Sequence, residues 1–154
     1  RVFTLDTGRL PQATHDLIDR VRDRYGVTVE VVFPDPNDVV AMVRSGGQNL
    51  FYESVEKRQL CCRIRKVEPM RRYFATAGID AWVAGLRRGQ GVTRDHNVPV
   101  NRLHKQGYPS VGCDPCSRAI QPGEDIRAGR WWWENPETKE CGIHVEEESN
   151  GSGI

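Results

Sequence analysis

Five cysteines carry the most specific chemistry in this sequence: Cys61, Cys62, Cys113, Cys116 and Cys141. The first two are adjacent, the next two form a Cys-x-x-Cys pair, and the fifth stands alone near the end of the chain. Paired cysteines at such spacings are typical of metal or iron–sulfur ligands. We therefore interpret four of the cysteines as ligands and the fifth as a candidate reactive thiol.

The spacing of the four paired cysteines predicts a site with four sulfur ligands. Cys113 and Cys116 can reach one metal from a tight turn, which Pro115 stiffens. The number of sulfurs does not separate zinc from a 4Fe-4S cluster. Adjacent cysteines such as Cys61 and Cys62 favour the cluster, because zinc ligands on one knuckle are normally two or more residues apart. Incidental buried thiols and a redox dithiol at Cys113 and Cys116 remain open alternatives.

Cys141 has no neighbouring cysteine that would make it a ligand. Lys139 and His144 are close enough in sequence to stabilise its thiolate, and Gly142 allows a flexible segment to deliver it. A lone cysteine is also compatible with an inert thiol, so the spacing leaves both roles open.

Basic residues are concentrated around the first cysteine pair although the net charge is only +1. This balance gives no general reason to expect binding to nucleic acid or to an anionic membrane. The concentration itself predicts a site for a small polyanion. Its members are Lys57, Arg58, Arg63, Arg65, Lys66, Arg71 and Arg72, and Arg87, Arg88 and Arg94 follow.

Length and composition indicate one soluble domain. The chain has 154 residues, of which 38% are hydrophobic and 28% charged, values typical of globular proteins. We assign residues 1–145 to this domain and residues 146–154 to a flexible acidic tail. An odd number of cysteines without a signal peptide favours a reducing cytoplasm over a secreted disulfide framework. Because the chain begins with Arg1, we interpret it as a fragment that lacks upstream sequence.

The first 44 residues alternate between strand and helix patterns. A β-type run covers residues 1–8, a helix pattern ends at Gly26, a second β-branched strand covers residues 27–33, and a helix runs from about Asn37 to Arg44. We interpret Ser45-Gly46-Gly47, which follows, as the end of this helix and not as a phosphate loop. The alternation predicts an α/β fold with a parallel sheet flanked by helices, and ligands near the carboxyl ends of the strands.

A longer helix is predicted from Lys57 to Ala77, with a break or kink at Pro69. Its predicted apolar side consists of Leu60, Ile64, Val67 and Phe74. Neighbouring helical residues point about 100° apart, so adjacent cysteines can share one cluster only if the backbone adapts locally.

The second half of the chain is predicted to be irregular. A buried strand at residues 80–85 and a basic loop at residues 86–94 follow the long helix. After Asn97, frequent glycine and proline predict a loop-rich segment that depends on its metal site for order. The three tryptophans at residues 131–133 are expected to pack over this segment, with base stacking or a partner surface as the alternative.

Several blocks of this sequence together resemble the assimilatory adenylyl-sulfate reductases of the phosphoadenylyl-sulfate reductase family. The blocks span most of the chain, and their combination is much more specific than one Cys-x-x-Cys pair. They are Leu5-Asp6-Thr7-Gly8-Arg9-Leu10, residues 61–69 from Cys61 to Pro69, the loop at residues 85–94, residues 107–116, residues 127–134 and Lys139-Glu140-Cys141-Gly142-Ile143-His144.

The resemblance implies an adenine nucleotide alpha hydrolase-like fold with a loop-rich C-terminal iron–sulfur segment. It implies reduction of adenosine 5′-phosphosulfate to sulfite and AMP, with thioredoxin as electron donor and Cys141 as the nucleophile that forms an S-sulfocysteine. A 4Fe-4S cluster that does not shuttle electrons would be held by Cys61, Cys62, Cys113 and Cys116. Substrate would contact Lys66, Arg127 and Arg130, with Leu5, Arg87 and Arg88 on the adenine-nucleotide side. The oligomeric state, including a homo-oligomer, stays open.

Two departures from the family pattern leave other functions open. A Ser-Gly-Gly phosphate loop is expected before the Leu5 block, and a further strand and helix between Arg94 and Asn97; here only Asp95 and His96 join those two sides. The alternatives are reduction of 3′-phosphoadenosine 5′-phosphosulfate, and a cluster-stabilised or zinc-stabilised nucleotide-binding fragment without catalysis.

Overall fold

Two parallel strands and the helices that follow them form the N-terminal half. The computed structural model describes residues 1–79, 81 and 98–139. Strand β1 (Val2–Leu5) pairs in parallel with β2 (Val29–Val32), with Val2 opposite Val29 and Leu5 opposite Val32. Helix α1 (Gln12–Tyr25) connects them, and α2 (Pro36–Gly46) follows β2. The predicted strand–helix alternation and the parallel sheet are confirmed.

The ends of the first two helices follow from local sequence. Gly26 ends α1 with a φ of 61°, in the left-handed region that glycine adopts without a steric penalty. Asp35 caps α2 by accepting a hydrogen bond from the N–H of Asn37. Gly47 caps the other end and donates its N–H to the carbonyl of Val43, so the glycine pair here ends a helix, as predicted.

A continuous helical run covers residues 55–77, but its centre is not α-helical. Helix α3 (Val55–Cys62) continues into a π-helical segment (Arg63–Val67) and then into α4 (Glu68–Ala77). The N–H of Glu68 donates to the carbonyl of Arg63, five residues earlier. Pro69 has no N–H for the carbonyl of Arg65, which removes one α-helical hydrogen bond at this point. The proline was predicted to break or kink the helix; instead a wider turn precedes it and the helix continues.

The predicted apolar side of this helix is wrong. Leu60, Ile64, Val67 and Phe74 are only half-buried. The deeply buried positions are mostly polar or reactive: Arg58, Cys62, Arg65, Lys66, Pro69 and Met70. A search for apolar periodicity misses this face because its side chains are buried through ion pairs, hydrogen bonds and thiol packing.

Residues 98–139 contain little regular structure, as predicted. The described elements are short 3₁₀ turns (Arg102–Gln106, Asp114–Cys116 and Pro136–Thr138) and one antiparallel bridge between Ser117 and Arg130. The segment packs on α1 through Asn101, whose side-chain amide donates to Thr14 Oγ1 at 3.0 Å. None of the helices in the described ranges has the length and apolar character that crossing a bilayer requires.

Candidate active site and cysteine group

The four paired cysteines come together in space, and we call them the cysteine group. Cys62, Cys113 and Cys116 are buried in one cluster with Phe51 and Trp131, and Cys61 packs against that cluster. All four are free thiols. Two segments about 50 residues apart in sequence thus meet at their cysteines, and the group occupies the main buried cluster of the described chain.

The Cys-x-x-Cys turn is fixed from both sides. Within the turn, the N–H of Cys116 donates to the carbonyl of Cys113 at 3.0 Å. From outside, the carbonyl of Arg9 accepts from the N–H of Asp114 at 2.7 Å, and the hydroxyl of Tyr52 donates to the carbonyl of Pro115 at 2.9 Å. The orientation of both thiols is therefore set by the segment after β1 and by the turn before α3.

The segment after β1 also contacts the cysteine group directly. Thr7 Oγ1 lies 3.2 Å from Cys113 Sγ, and the carbonyl of Thr7 accepts from Arg65 Nη1 at 2.7 Å. The preceding Asp6 holds the turn by accepting from the N–H of Gly8 and by pairing with His15 at 2.9 Å. Leu5, the last residue of β1, is thus placed two residues from a thiol contact, at the carboxyl end of the strand.

The thiols have different pKa values because they share hydrogen bonds and charges. A hydrogen bond from Cys116 lowers the pKa of Cys113, and the charges of Lys66 and Arg130 and the contact with Thr7 add to this effect against the opposing effect of burial. The same hydrogen bond and burial raise the pKa of Cys116. Burial also raises the pKa of Cys61. The hydrogen bond within the Cys-x-x-Cys turn therefore lowers the pKa of Cys113 relative to that of Cys116.

The cationic residues predicted to bind substrate differ in their relation to this group. Lys66 is buried, and its charge acts on both Cys113 and Cys116. Arg130 is half-buried, and its guanidinium lies 4.6 Å from the ring centroid of Trp131. Arg127 is exposed on the same turn and donates to the carbonyl of Lys139 at 3.0 Å. The structure thus brings Lys66 and Arg130 to the cysteine group, whereas Arg127 contacts the backbone at Lys139.

Trp131 stands in an unusual backbone conformation at the centre of this site. Its φ is 41°, in the left-handed region, which costs a non-glycine residue on the order of 1–3 kcal/mol. Its side chain is 1% exposed, and the guanidinium of Arg58 also lies over its ring, 4.7 Å from the centroid. Of the other two tryptophans, Trp133 packs against the cysteine cluster and Trp132 is 49% exposed. The predicted packing role therefore holds for Trp131 and Trp133 but not for Trp132.

Three buried side-chain nitrogens in the described part of the chain have no hydrogen-bond partner: Arg65 Nε, Arg130 Nε and Trp131 Nε1. All are donors, and all belong to residues around the cysteine group. Buried hydrogen-bond donors normally have an acceptor, so three neighbouring donors without one need an explanation. An anion or an electron-rich sulfur species would supply the missing acceptors.

The cysteine group is not arranged around a single point. Across residues 1–79, 81 and 98–139, no three His, Cys, Asp or Glu side chains are placed to bind one metal ion. In a 4Fe-4S cluster each cysteine binds a different iron, so the sulfurs need not converge on one point.

Three predicted site residues lie outside the described residues. They are Cys141, Arg87 and Arg88, and the predicted strand at residues 80–85, the basic loop at residues 86–94 and the tail at residues 146–154 lie there too.

Comparison with known proteins decides the family. The model of the phosphoadenosine phosphosulfate reductase domain matches residues 1–96 and 91–119, which together cover most of the chain. The chain belongs to this family. The two matches of the reductase domain overlap at residues 91–96, around the short connection at Asp95 and His96.

Curated relatives of this reductase domain agree with the family match. Proteins named adenosine 5′-phosphosulfate reductase from Allochromatium vinosum and Burkholderia cepacia are 48% identical to it, over 96% and 94% of the chain and 70% of each relative. One from Rhizobium tropici is 43% identical over 94% of the chain and 98% of its own length. The first alignment spans 180 positions against 154 residues here, so the relative carries additional residues within the aligned region.

Some residues that shape the site of this reductase domain were not singled out from the sequence. Thr7 touches a cysteine, and Arg58 and Glu134 form a buried ion pair beside Trp131. The sequence feature that could have identified Arg58 as a site residue is its position four residues before Cys62, on the same helix face. Nothing local indicated Glu134, because its partner lies 76 residues away in sequence.

Proposed function

We propose that this protein reduces adenosine 5′-phosphosulfate to sulfite and AMP, with thioredoxin as the electron donor. The observation that carries the proposal is the convergence of the cysteine group with Lys66 and Arg130, in a chain 48% identical to adenosine 5′-phosphosulfate reductases. Phosphosulfate is anionic and so is an attacking thiolate, so the reaction needs fixed cations at its centre. Lys66 and Arg130 supply them, and Arg127 adds a third beside the backbone at Lys139.

In the proposed reaction Cys141 is the nucleophile. Its thiolate attacks the sulfur of the phosphosulfate, the bond from that sulfur to the phosphate oxygen breaks, and AMP leaves with the electron pair. This forms an S-sulfocysteine. A thiolate of thioredoxin then attacks the Cys141 sulfur, sulfite leaves, and the second thioredoxin thiol resolves the mixed disulfide. Thioredoxin is oxidised by two electrons in this sequence and the substrate sulfur is reduced by two.

The residues of the cysteine group fit a 4Fe-4S cluster. Four free thiols share one buried site, the orphan nitrogens around them are all donors, and Thr7 and Lys66 face the sulfurs. Donors around the sulfurs are the means by which proteins stabilise such clusters. A bound cluster would supply local charge and a covalent link between α3 and the turn at Cys113. Cys141 attacks the substrate sulfur, and the cations stabilise the negative charges of the reacting groups.

The proposal is tested by incubating the protein with ³⁵S-labelled adenosine 5′-phosphosulfate and following label on the Cys141 peptide by mass spectrometry. Label is expected on Cys141 and is released as sulfite on addition of reduced thioredoxin. Cys141→Ser abolishes labelling and keeps its iron, whereas Cys61→Ser loses iron. Equal iron loss in both variants would contradict this division of roles, and labelling that persists in Cys141→Ser would exclude the mechanism.

A second set of measurements separates the alternatives. Lys66→Ala should lower the labelling rate on the order of 10²- to 10³-fold, because it removes a cation from the reacting charges, while visible absorption and bound iron persist. Preferential reaction with the 3′-phosphorylated substrate would replace the proposed substrate. Binding of AMP without any labelling would instead indicate a nucleotide-binding protein that has lost catalysis.

A further inference from the structure

Arg58 makes the most extensive set of buried polar contacts in the described chain, and the proposed reaction does not use it. Its side chain is 0% exposed. Nε donates to Glu134 Oε1 and Nη2 donates to Glu134 Oε2, both at 2.9 Å, and the Glu134 side chain is 4% exposed. Nη2 also donates to the carbonyl of Thr138 at 2.5 Å. A buried charge with this many fixed contacts is costly unless every one of them is kept.

The same side chain reaches the cysteine group. Arg58 lies one helical turn before Cys62 and hydrogen-bonds to it, and its guanidinium lies over the ring of Trp131. Burial opposes the charge on Arg58, but the hydrogen bonds and the charge of Glu134 outweigh burial and raise its pKa. The guanidinium is therefore a permanent cation placed between a paired cysteine and the segment at residues 134–139.

That segment is held at two successive carbonyls. Arg58 binds the carbonyl of Thr138, and Arg127 binds the carbonyl of Lys139 at 3.0 Å. The hydroxyl of Thr138 donates in addition to Glu134 Oε2 at 3.1 Å. Cys141 follows Lys139 by two residues in the sequence. The anchored backbone thus leads directly to the proposed nucleophile.

Only arginine can make all of these contacts at once. Its planar fork binds both oxygens of Glu134, leaves a further N–H for the carbonyl, and stacks on an aromatic ring. Lysine keeps the charge but offers a single ammonium, which cannot span a carboxylate, a carbonyl and a thiol in fixed directions.

We propose that Arg58 is a positioning residue that couples the cysteine group to the backbone at Thr138 and so sets the reactivity of Cys141. This proposal depends on the proposed function only because it takes Cys141 as the nucleophile. The coupling runs through the contacts that connect Cys62, Arg58, Glu134 and Thr138. A change at the cysteine group that moves Arg58 is transmitted to the carbonyl of Thr138 that it holds, next to the carbonyl of Lys139 that Arg127 holds.

The test uses Arg58→Lys, with Arg118→Lys as the matched control. Arg118 also forks onto a glutamate, Glu124, with both N–O distances at 2.8 Å, and its other hydrogen bond goes to the carbonyl of Ala119 and not to that of Thr138. Three quantities are measured on the full chain: bound iron, the rate of tryptic cleavage after Lys139, and the rate of Cys141 labelling at saturating adenosine 5′-phosphosulfate.

Arg58→Lys is expected to keep its iron and its affinity for AMP. Cleavage after Lys139 should rise about tenfold, and labelling of Cys141 should fall on the order of 10- to 100-fold, because a small misplacement of a reacting group has effects of this size. Arg118→Lys should match the parent in all three. Glu134→Gln, which removes the carboxylate that orients Arg58, should change cleavage and labelling in the same directions.

The outcomes separate the coupling from the proposed function. Parent-like cleavage and labelling in both Arg58→Lys and Glu134→Gln would overturn the coupling. Loss of iron in both would also overturn it, since Arg58 would then act by holding the cysteine group. A parent protein that never labels at Cys141 would refute the proposed function, while faster cleavage after Lys139 in Arg58→Lys would still support the anchor.

Discussion

Single side chains connect the strands to the cysteine group, and Thr7 is the clearest example. Its hydroxyl contacts Cys113 Sγ and accepts from the N–H of Arg9, both at 3.2 Å, while its carbonyl accepts from Arg65. With 1% exposure it has no access to water that could replace these partners. One residue after β1 thus positions a thiol, an arginine and the following turn.

Thr7→Val tests this role with a change of similar volume. We expect the free energy of unfolding to fall by about 1–3 kcal/mol, because the part-buried N–H of Arg9 loses its acceptor. Urea denaturation measures the change. Thr28→Val, at an exposed position, is the control and should lie within about 0.5 kcal/mol of the parent. Equal effects of the two substitutions would exclude a specific role for the Thr7 hydroxyl.

Gly112 gives a second prediction at the scale of one residue. A Cβ at this position would overlap the guanidinium of Arg130, which is the movable end of a long side chain. Gly112→Ala should therefore keep the fold but displace Arg130 from Trp131, and weaken the binding of an adenosine 5′-phosphosulfate analogue on the order of tenfold, the effect of losing one charge-assisted hydrogen bond.

Titration calorimetry with the analogue measures this loss. Gly46→Ala is the control, because a Cβ there would crowd Leu50, at 3.0 Å, and not Arg130. Unchanged affinity in Gly112→Ala would argue against a role for Arg130 in binding substrate.

At the scale of elements, the π-helical segment decides which side chains face the cysteine group. It follows Cys62 directly and places Arg65 and Lys66 both in the interior. A π-helical turn holds one residue more than an α-helical turn, so it shifts the phase of everything after it. The adjacent cysteines themselves end α3, and the backbone departs from α-helical geometry in the turn immediately after them.

Insertion of one alanine after Arg63, an exposed residue in this segment, adds a residue to a turn that already holds one more than an α-helical turn. Because the helix continues through the added residue, α4 turns by about 100° relative to α3, so that the cysteine pair and Lys66 no longer face the same site. We expect loss of the iron of the proposed cluster and of its visible absorption, with helical content by circular dichroism nearly unchanged. Arg63→Ala keeps the chain length and should keep the iron; iron retained after the insertion would show that the relative phase of the two helices is not required.

At the scale of the whole molecule, the cysteine group joins the two parts of the described chain. Residues 98–139 have only short 3₁₀ turns and one bridge of their own, and they meet α3 at the buried cysteines, at Trp131 and through Arg58 and Glu134. Four thiols and a buried ion pair thus contribute contacts between the two parts that a larger apolar core would otherwise provide.

Removal of the iron of the proposed cluster should therefore loosen residues 98–139 first. We expect the apoprotein, prepared with a chelator and a reductant, to exchange backbone amides of residues 113–131 faster, while β1 and α1 keep their protection. Hydrogen exchange with mass spectrometry measures this. Cys141→Ser, treated in the same way, should show the same difference between loaded and apo forms. Equal acceleration across the whole chain would mean that the proposed cluster stabilises the fold globally.

The sequence alone determined the features that depend on local pattern. The spacing of apolar residues and turn glycines predicted β1, α1, β2 and α2, and the cysteine spacing predicted which four cysteines meet. These succeed because periodicity and turn chemistry act within a few residues.

Only the tertiary structure decided which polar groups are buried. Arg58 was one of many basic residues in the sequence; it becomes the centre of an ion pair because Glu134, 76 residues away, reaches it in the fold. The left-handed backbone of Trp131 and the interior position of Arg65 likewise depend on partners outside their own segments. Burying a charge is favourable only when its partners arrive from elsewhere in the chain, and no local pattern carries that information.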